Sequence, residues 1–251
     1  MTDLATLDIA GPIATLTMNR PEARNAMSLP LLDGLHARLD ELPTTVHEGP
    51  HVLVLAGAGK SFCAGMDLKS VLGDEAAPPK LLHSIANLTT RLRNLPMVVV
   101  AKVNGAAIGG GCGLACACDI VLSHADAKLG FPEVDLGVCP AVVAPLLVRK
   151  IGAGRARAIL LRGGLMTGTA AHEVGIADDL ADTREGLDAL CEAVAHRLAA
   201  GGASAIAATK QLLTELDGSG DAALAKRGAD LSAAVLATPE ARERLAAKFA
   251  G

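Results

Sequence analysis

Apolar and polar positions along this chain change rhythm several times, and each change marks an element. Leu4 to Ala10 and Ile13 to Met18 alternate on either side of Gly11-Pro12, which predicts a β-hairpin. After the polar connection Asn19 to Ser28 the spacing turns helical. Leu31, Leu32, Leu35, Leu39 and Leu42 form one stripe, with Ser28 as N-cap and Pro30 in the first turn. His51 to Ala56 is a short solid block ending in Gly57-Ala58-Gly59, the pattern of a strand buried on both faces. Leu82, Ile85, Leu88, Leu92 and Leu95 then predict a helix over 79–95, stopped by Pro96. Strands are expected at Met97 to Val103, Asp119 to His124 and Lys128 to Phe131, and Leu114 to Val121 reads as a helix start. Beyond Pro140 the spacing is mainly helical, with candidates at 141–151, 155–162, 169–175, 184–200, 203–216, 221–236 and 239–249. Strand and helix alternating early, then helices, predicts an α/β core with a helical C-terminal region, divided at 1–190 and 191–251.

Composition narrows the class. Apolar residues make up 51% of the 251 positions, ample for a core. Trp and Tyr are absent and the three Phe are Phe62, Phe131 and Phe249, so that core is packed from aliphatic side chains. The net charge of −4, without a basic block, argues against nucleic acid as a partner. No run approaches the roughly 18 uninterrupted apolar residues of a membrane span. The N-terminus lacks the basic and apolar regions of a signal peptide, so a cytoplasmic protein is expected. Six cysteines stand at 63, 112, 116, 118, 139 and 191. The trio at 112, 116 and 118 has neither a second pair nor a nearby His, so no metal site is expected.

The candidate chemistry lies in two glycine-containing segments, Gly109-Gly110-Gly111-Cys112-Gly113-Leu114-Ala115 and Phe62-Cys63-Ala64-Gly65-Met66-Asp67. Glycine lets backbone approach a ligand closely. A helix opening in the first run would aim unpaired N–H groups at one spot. Such donors suit a carbonyl oxygen that becomes negative, as in a thioester. Nucleotide readings fail: the G-x-G-x-x-G spacing is missing, and Gly57 to Ser61 lacks the first glycine of a phosphate loop.

Those segments belong to a longer series. Asn19-Arg20-Pro21, Phe62 to Leu68, Val103-Asn104-Gly105 with Gly109-Gly110-Gly111, Cys118-Asp119-Ile120, and Pro132-Glu133-Val134 with Leu136-Gly137 stand in the order of the crotonase superfamily. The chain resembles that superfamily, the enoyl-CoA hydratase/isomerase group, over essentially its whole length. The resemblance implies a crotonase spiral of ββα units, shared with a serine protease family, and a helical C-terminal trimerisation region. It implies a homotrimer or a hexamer built as a dimer of trimers, an acyl-CoA thioester as substrate, and no cofactor beyond the coenzyme A that the substrate carries. Met66 and Gly110 would supply the two oxyanion N–H groups. Ala23, Arg24 and Ala26, with Ala64, Gly65, Asp67, Leu68 and Lys69, would lie along coenzyme A; Gly109, Gly113, Pro132 and Cys139 would complete the substrate site. No serine stands after the glycines, which speaks against a protease.

One departure matters. Familiar hydratases of this group hold water between two glutamates. Here the second is present as Glu133, and the first position is Gly113. One carboxylate suffices to shuttle a proton, so hydration through Glu133 is expected, with double-bond isomerisation or silent acyl-CoA binding as alternatives. The stretch Leu136 to Pro145, with Gly113-Leu114, also resembles a subgroup that hydrates branched or carboxylated enoyl-CoAs. Asp67 and Asp119 read as capping or turn residues rather than as catalysts.

Overall fold

The computed structural model describes residues 3–43, 49–68 and 77–249. The hairpin forms where the alternation predicts it: β1 (Ala5–Ala10) pairs antiparallel with β2 (Ile13–Met18). Ser28 Oγ accepts the Leu31 N–H and opens α1 (Leu29–Asp40), which buries Leu31, Leu32, Leu35 and Leu39.

Three strand pairs follow: β3 (Val52–Gly57) with β4 (Ser61–Cys63), β5 (Val98–Val103) with β6 (Ala106–Ile108), and β7 (Ile120–His124) with β8 (Lys128–Gly130). The first member of each pair joins one sheet and the second joins another. Two later strands, β9 (Leu165–Thr167) and β10 (Asp179–Ala181), extend these sheets to the orders β1-β2-β3-β5-β7-β10 and β4-β6-β8-β9. Helices close the units: α2 (Ala77–Asn94) follows β4, α3 (Gly110–Ala117) follows β6, and α4 (Ala144–Ile151) with α5 (Ala153–Arg162) follows β8. This repeat of two strands and a helix is the expected ββα spiral. Four strands, β4, β6, β9 and β10, escape the sequence pattern because three residues carry no period. The helix expected from Leu114 instead starts at Gly110 and ends at Ala117, and the residues to Val121 turn into β7.

Among the described residues the remaining helices are α6 (Gly168–Glu173), α7 (Arg184–Ala199), α8 (Ala203–Asp217), α9 (Ala222–Leu236) and α10 (Pro239–Phe249). α7 covers the face of the first sheet opposite α1 and α2, packing Leu187, Cys191 and Ala195 on Val52, Val54, Val100 and Leu122. A division at 190 therefore falls inside one continuous helix. α9 lies along α2, so part of the C-terminal region returns to the core. Among the described residues no helix is long and apolar enough to cross a membrane.

Lys210 locks α8 to the core. Its buried ammonium donates to Leu92 O (3.1 Å), Met97 O (2.8 Å) and Asp119 Oδ2 (2.7 Å). Burial pushes the Lys210 pKa down, and Asp119 works against that push. Asp119 Oδ2 also accepts the Val99 N–H at 2.8 Å, and its other oxygen faces Arg93. Asp119 is thus structural, as an ionic hub rather than a turn cap. Asp119→Ala would strand Lys210 in the core, and we expect a loss of about 3–5 kcal/mol of stability, measured by urea unfolding.

Candidate active site

Gly109 and Gly110 turn β6 into α3. The Gly109 N–H is spent on Gly130 O (2.8 Å), and its backbone sits at φ 55°, ψ −120°, a conformation that favours glycine. Gly110 is the first helical residue, so its N–H has no acceptor within the helix. Opposite it, Met66 forms an isolated parallel bridge with Met27. The bonds of that bridge run Met27 N–H to Gly65 O (2.7 Å) and Asp67 N–H to Met27 O (2.9 Å). The Met66 N–H therefore points away from Met27. It faces the glycine turn: Met66 N lies 3.9 Å from where a side chain on Gly110 would begin, and Gly110 N lies 3.7 Å from the same point on Gly65.

Glu133 opens a short 3-10 turn, Val134–Leu136, and its carbonyl accepts the N–H groups of Leu136 (3.0 Å) and Val138 (2.8 Å). Its carboxyl group stands against the glycine turn, with Oε1 2.9 Å from where a side chain on Gly109 would begin. Oε2 is buried without a hydrogen-bond partner among the described residues. Burial pushes the carboxyl pKa up to about 7.

These groups share one cavity of about 650 Å³. Of the residues expected at the site, Ala23, Arg24, Ala26, Ala64, Gly65, Met66, Asp67, Leu68, Gly109, Gly110, Pro132, Glu133 and Cys139 line it. Lys69 lies outside the described residues. Gly113 does not line the cavity, and this corrects its placement in the substrate site. A side chain there would begin on Val143 Cγ1 and 2.5 Å from Val143 Cβ, so valine fills the space that a first glutamate would need.

The loop at 20–26 is held by side chains rather than by pairing. Arg24 and Asn25 both have left-handed backbones, φ 52° and 54°. Buried Asn25 accepts the Arg20 N–H (2.9 Å) and donates to Ala58 O (3.0 Å) and Ser61 O (2.8 Å). Arg20 reaches across to Asp67 Oδ2 at 2.7 Å, so Asp67 is structural here. The wall from 20–26 is consequently polar. The wall from α2 and the 136–143 segment is aliphatic: Leu82, Ile85, Leu136, Val138, Val142 and Val143. The sequence places the pocket walls along 68–88 and in the terminal helices but does not single out these side chains or Ser232, because apolar positions on helices and loops signal core, and only the fold turns them toward a cavity. Among the described residues no cluster of His, Cys, Asp or Glu is suited to hold a metal ion.

The chain matches the family model described as enoyl-CoA hydratase/isomerase over residues 8–246. It is 33% identical over 208 residues to an enoyl-CoA isomerase/hydratase of Mycosarcoma maydis, covering 79% of this chain and 76% of that protein. It is 32% identical over 204 residues to a 2,3-dehydroadipyl-CoA hydratase of Escherichia coli, covering 81% and 78%. Its fold superimposes on the crystal structure of an enoyl-CoA hydratase from Mycobacterium avium with a TM-score of 0.87 at 30% identity, over 100% of this chain and 97% of that one. With the glycine turn, the facing amide and the buried glutamate in one cavity, these matches make the chain a member of the enoyl-CoA hydratase/isomerase family.

Proposed function

We propose that the protein adds water to a neutral enoyl-CoA thioester, with Glu133 as the single acid/base and the Met66 and Gly110 amides as the oxyanion hole. The observation that carries this reading is the Glu133 carboxyl group against the Gly109–Gly110 turn, opposite the Met66 amide. In this scheme the thioester oxygen accepts both N–H groups. Glu133 takes a proton from water, and the water oxygen bonds to the β-carbon. The double-bond electrons move onto the thioester as an enolate, and Glu133 returns its proton to the α-carbon. The fixed amides stabilise the enolate without reorganising, an effect worth about 3–4 kcal/mol for one donor.

The polar wall at Ala23 to Ala26 supports a place for the coenzyme A portion. The aliphatic wall supports a neutral acyl group: among its described residues none is cationic, and a carboxylated acyl chain would sit near Glu133 without a counter-charge. This speaks against the carboxylated class suggested by the stretch 136–145. Exposed Leu212, Leu213 and Leu216 on α8 support assembly into a trimer or hexamer. Six unpaired cysteines support a reducing, cytoplasmic setting. A silent binder has little use for a buried carboxylate with an unpartnered oxygen.

One observation favours a second reading. With Val143 on Gly113, no carboxylate can enter from position 113 to orient water, and a lone glutamate suits moving a double bond: Glu133 would take an α-proton from a β,γ-enoyl thioester and return it at the γ-carbon. Two assays separate the readings. Hydration of crotonyl-CoA removes the thioester-conjugated absorbance, whereas isomerisation of a β,γ-enoyl-CoA creates it. We expect the first. Because the base must be ionised, kcat/KM should rise with pH to a plateau above about 7. Activity that is flat from pH 5 to 9 would remove Glu133 from this role.

A further inference from the structure

The aliphatic wall of the cavity is held by one hydroxyl from the C-terminal region. The segment between Glu133 and α4 contains Pro140, which has no N–H to donate. The groups flanking that proline, Cys139 C=O and Ala141 N–H, are both met by Ser232 of α9. Ser232 Oγ donates to Cys139 O at 2.8 Å and accepts from Ala141 N at 3.1 Å. Only a group that both donates and accepts can bridge this pair, and serine is the smallest side chain that does so. Ser232 is 1% exposed, yet it lines the catalytic cavity.

A second contact seats the same helix. Gly228, one turn earlier, lies flat on the segment: a side chain there would begin 2.5 Å from Ala141 O and 3.3 Å from Val142 Cα. The helix also packs on α2, which contributes Leu82 and Ile85 to the cavity. α9 is therefore wedged between the two elements that make the aliphatic wall. The segment it grips carries Val142 and Val143 and is tied at its other end to Glu133 O through the Val138 N–H.

We propose that Ser232 is a positioning residue: by bridging Cys139 and Ala141 it fixes the aliphatic wall and sets which acyl chains the cavity prefers. This rests on the acyl-CoA reading above. Ser232→Ala removes the one side chain that bridges the half-buried Cys139 carbonyl and Ala141 N–H, and frees the segment to shift toward other partners.

The test compares dissociation constants for free coenzyme A and for saturated acyl-CoA thioesters of four to ten carbons, by titration calorimetry, in wild type, Ser232→Ala and Ser232→Thr. Binding rather than turnover is read, so the result does not depend on which reaction the enzyme catalyses. We expect Ser232→Ala to leave the Kd of free coenzyme A unchanged and to shift the ratio of long-chain to short-chain Kd by about tenfold or more. Ser232→Thr keeps the hydroxyl and should retain the wild-type ratio. Gly228→Ala, which presses on the same backbone without touching the hydroxyl, should shift the ratio too and serves if Ser232→Ala does not fold. A folded Ser232→Ala with the wild-type ratio overturns the positioning role alone. A uniform weakening at every chain length also overturns it, since that marks a merely structural effect. A wild-type protein that binds no coenzyme A thioester overturns the acyl-CoA reading and this inference with it.

Discussion

Glu133→Gln should lower turnover of an enoyl-CoA by about 10³-fold or more, because the proposed mechanism routes both proton transfers through this one group. The same variant should bind the thioester with an unchanged Kd, since the amides of Met66 and Gly110 are untouched. It should also be the more stable protein in alkali. In the fold the Glu133 carboxyl titrates at about 7, against an ordinary value of 4.5, because burial disfavours its charge. Between those pH values the folded chain holds a proton that the unfolded chain has released. The contribution of this group to stability is thus complete below about 4.5 and is lost as pH rises to 7. Glutamine carries no such dependence, so the variant should match wild type near pH 4 and exceed it at pH 8 by about 1–3 kcal/mol. Denaturant unfolding at the two pH values, with kinetics on the same samples, checks both halves. Undiminished turnover would remove Glu133 from the chemistry, and equal stability at pH 8 would show that its carboxyl group is well solvated.

Gly109→Ala should be nearly as damaging to activity from a single methyl group. The added carbon would stand 2.9 Å from Glu133 Oε1, on a backbone at φ 55° where an L side chain is strained. Either the carboxyl group moves or the turn reopens, and reopening carries the Gly110 amide away from Met66. Loss of about 10²–10³-fold in kcat/KM is expected, the range found for losing an oxyanion donor. Strain should cost about 1–3 kcal/mol as well. A steady-state assay and a thermal melt distinguish this from unfolding: the variant should keep a cooperative transition. Wild-type kinetics in Gly109→Ala would mean that the glycine turn does not shape the oxyanion site.

Much of this was readable in the residues. The hairpin, α1 and the blocks that became β3, β5 and β7 follow from alternation, capping and solid apolar runs, all of them local. The second sheet is another matter. β4 and β6 have three residues each and exist because β8 and the neighbouring strands of the spiral hold them in register, a long-range fact without local trace. The site divides the same way. Glu133, Met66 and Gly110 were reachable because their motifs stand in family order, and glycine at 109 and 110 announces a backbone that must come close to something. The aliphatic wall was reachable only as a region, 68–88 with the terminal helices, and not side chain by side chain: Leu82 and Ile85 carry the same helical spacing as the buried Leu88 and Leu92. Gly113 was misplaced for a related reason, since a residue's register in a motif says nothing of its neighbour across the fold.

That neighbour ties the two positions to each other. Glutamate introduced at 113 meets Val143 before it can reach the cavity, and trimming Val143 alone opens a hole in the cavity wall. Overpacking from the first change and a void from the second should each cost stability alone, so a second carboxylate at this spot calls for both substitutions together. A single isopropyl group keeps the two positions coupled.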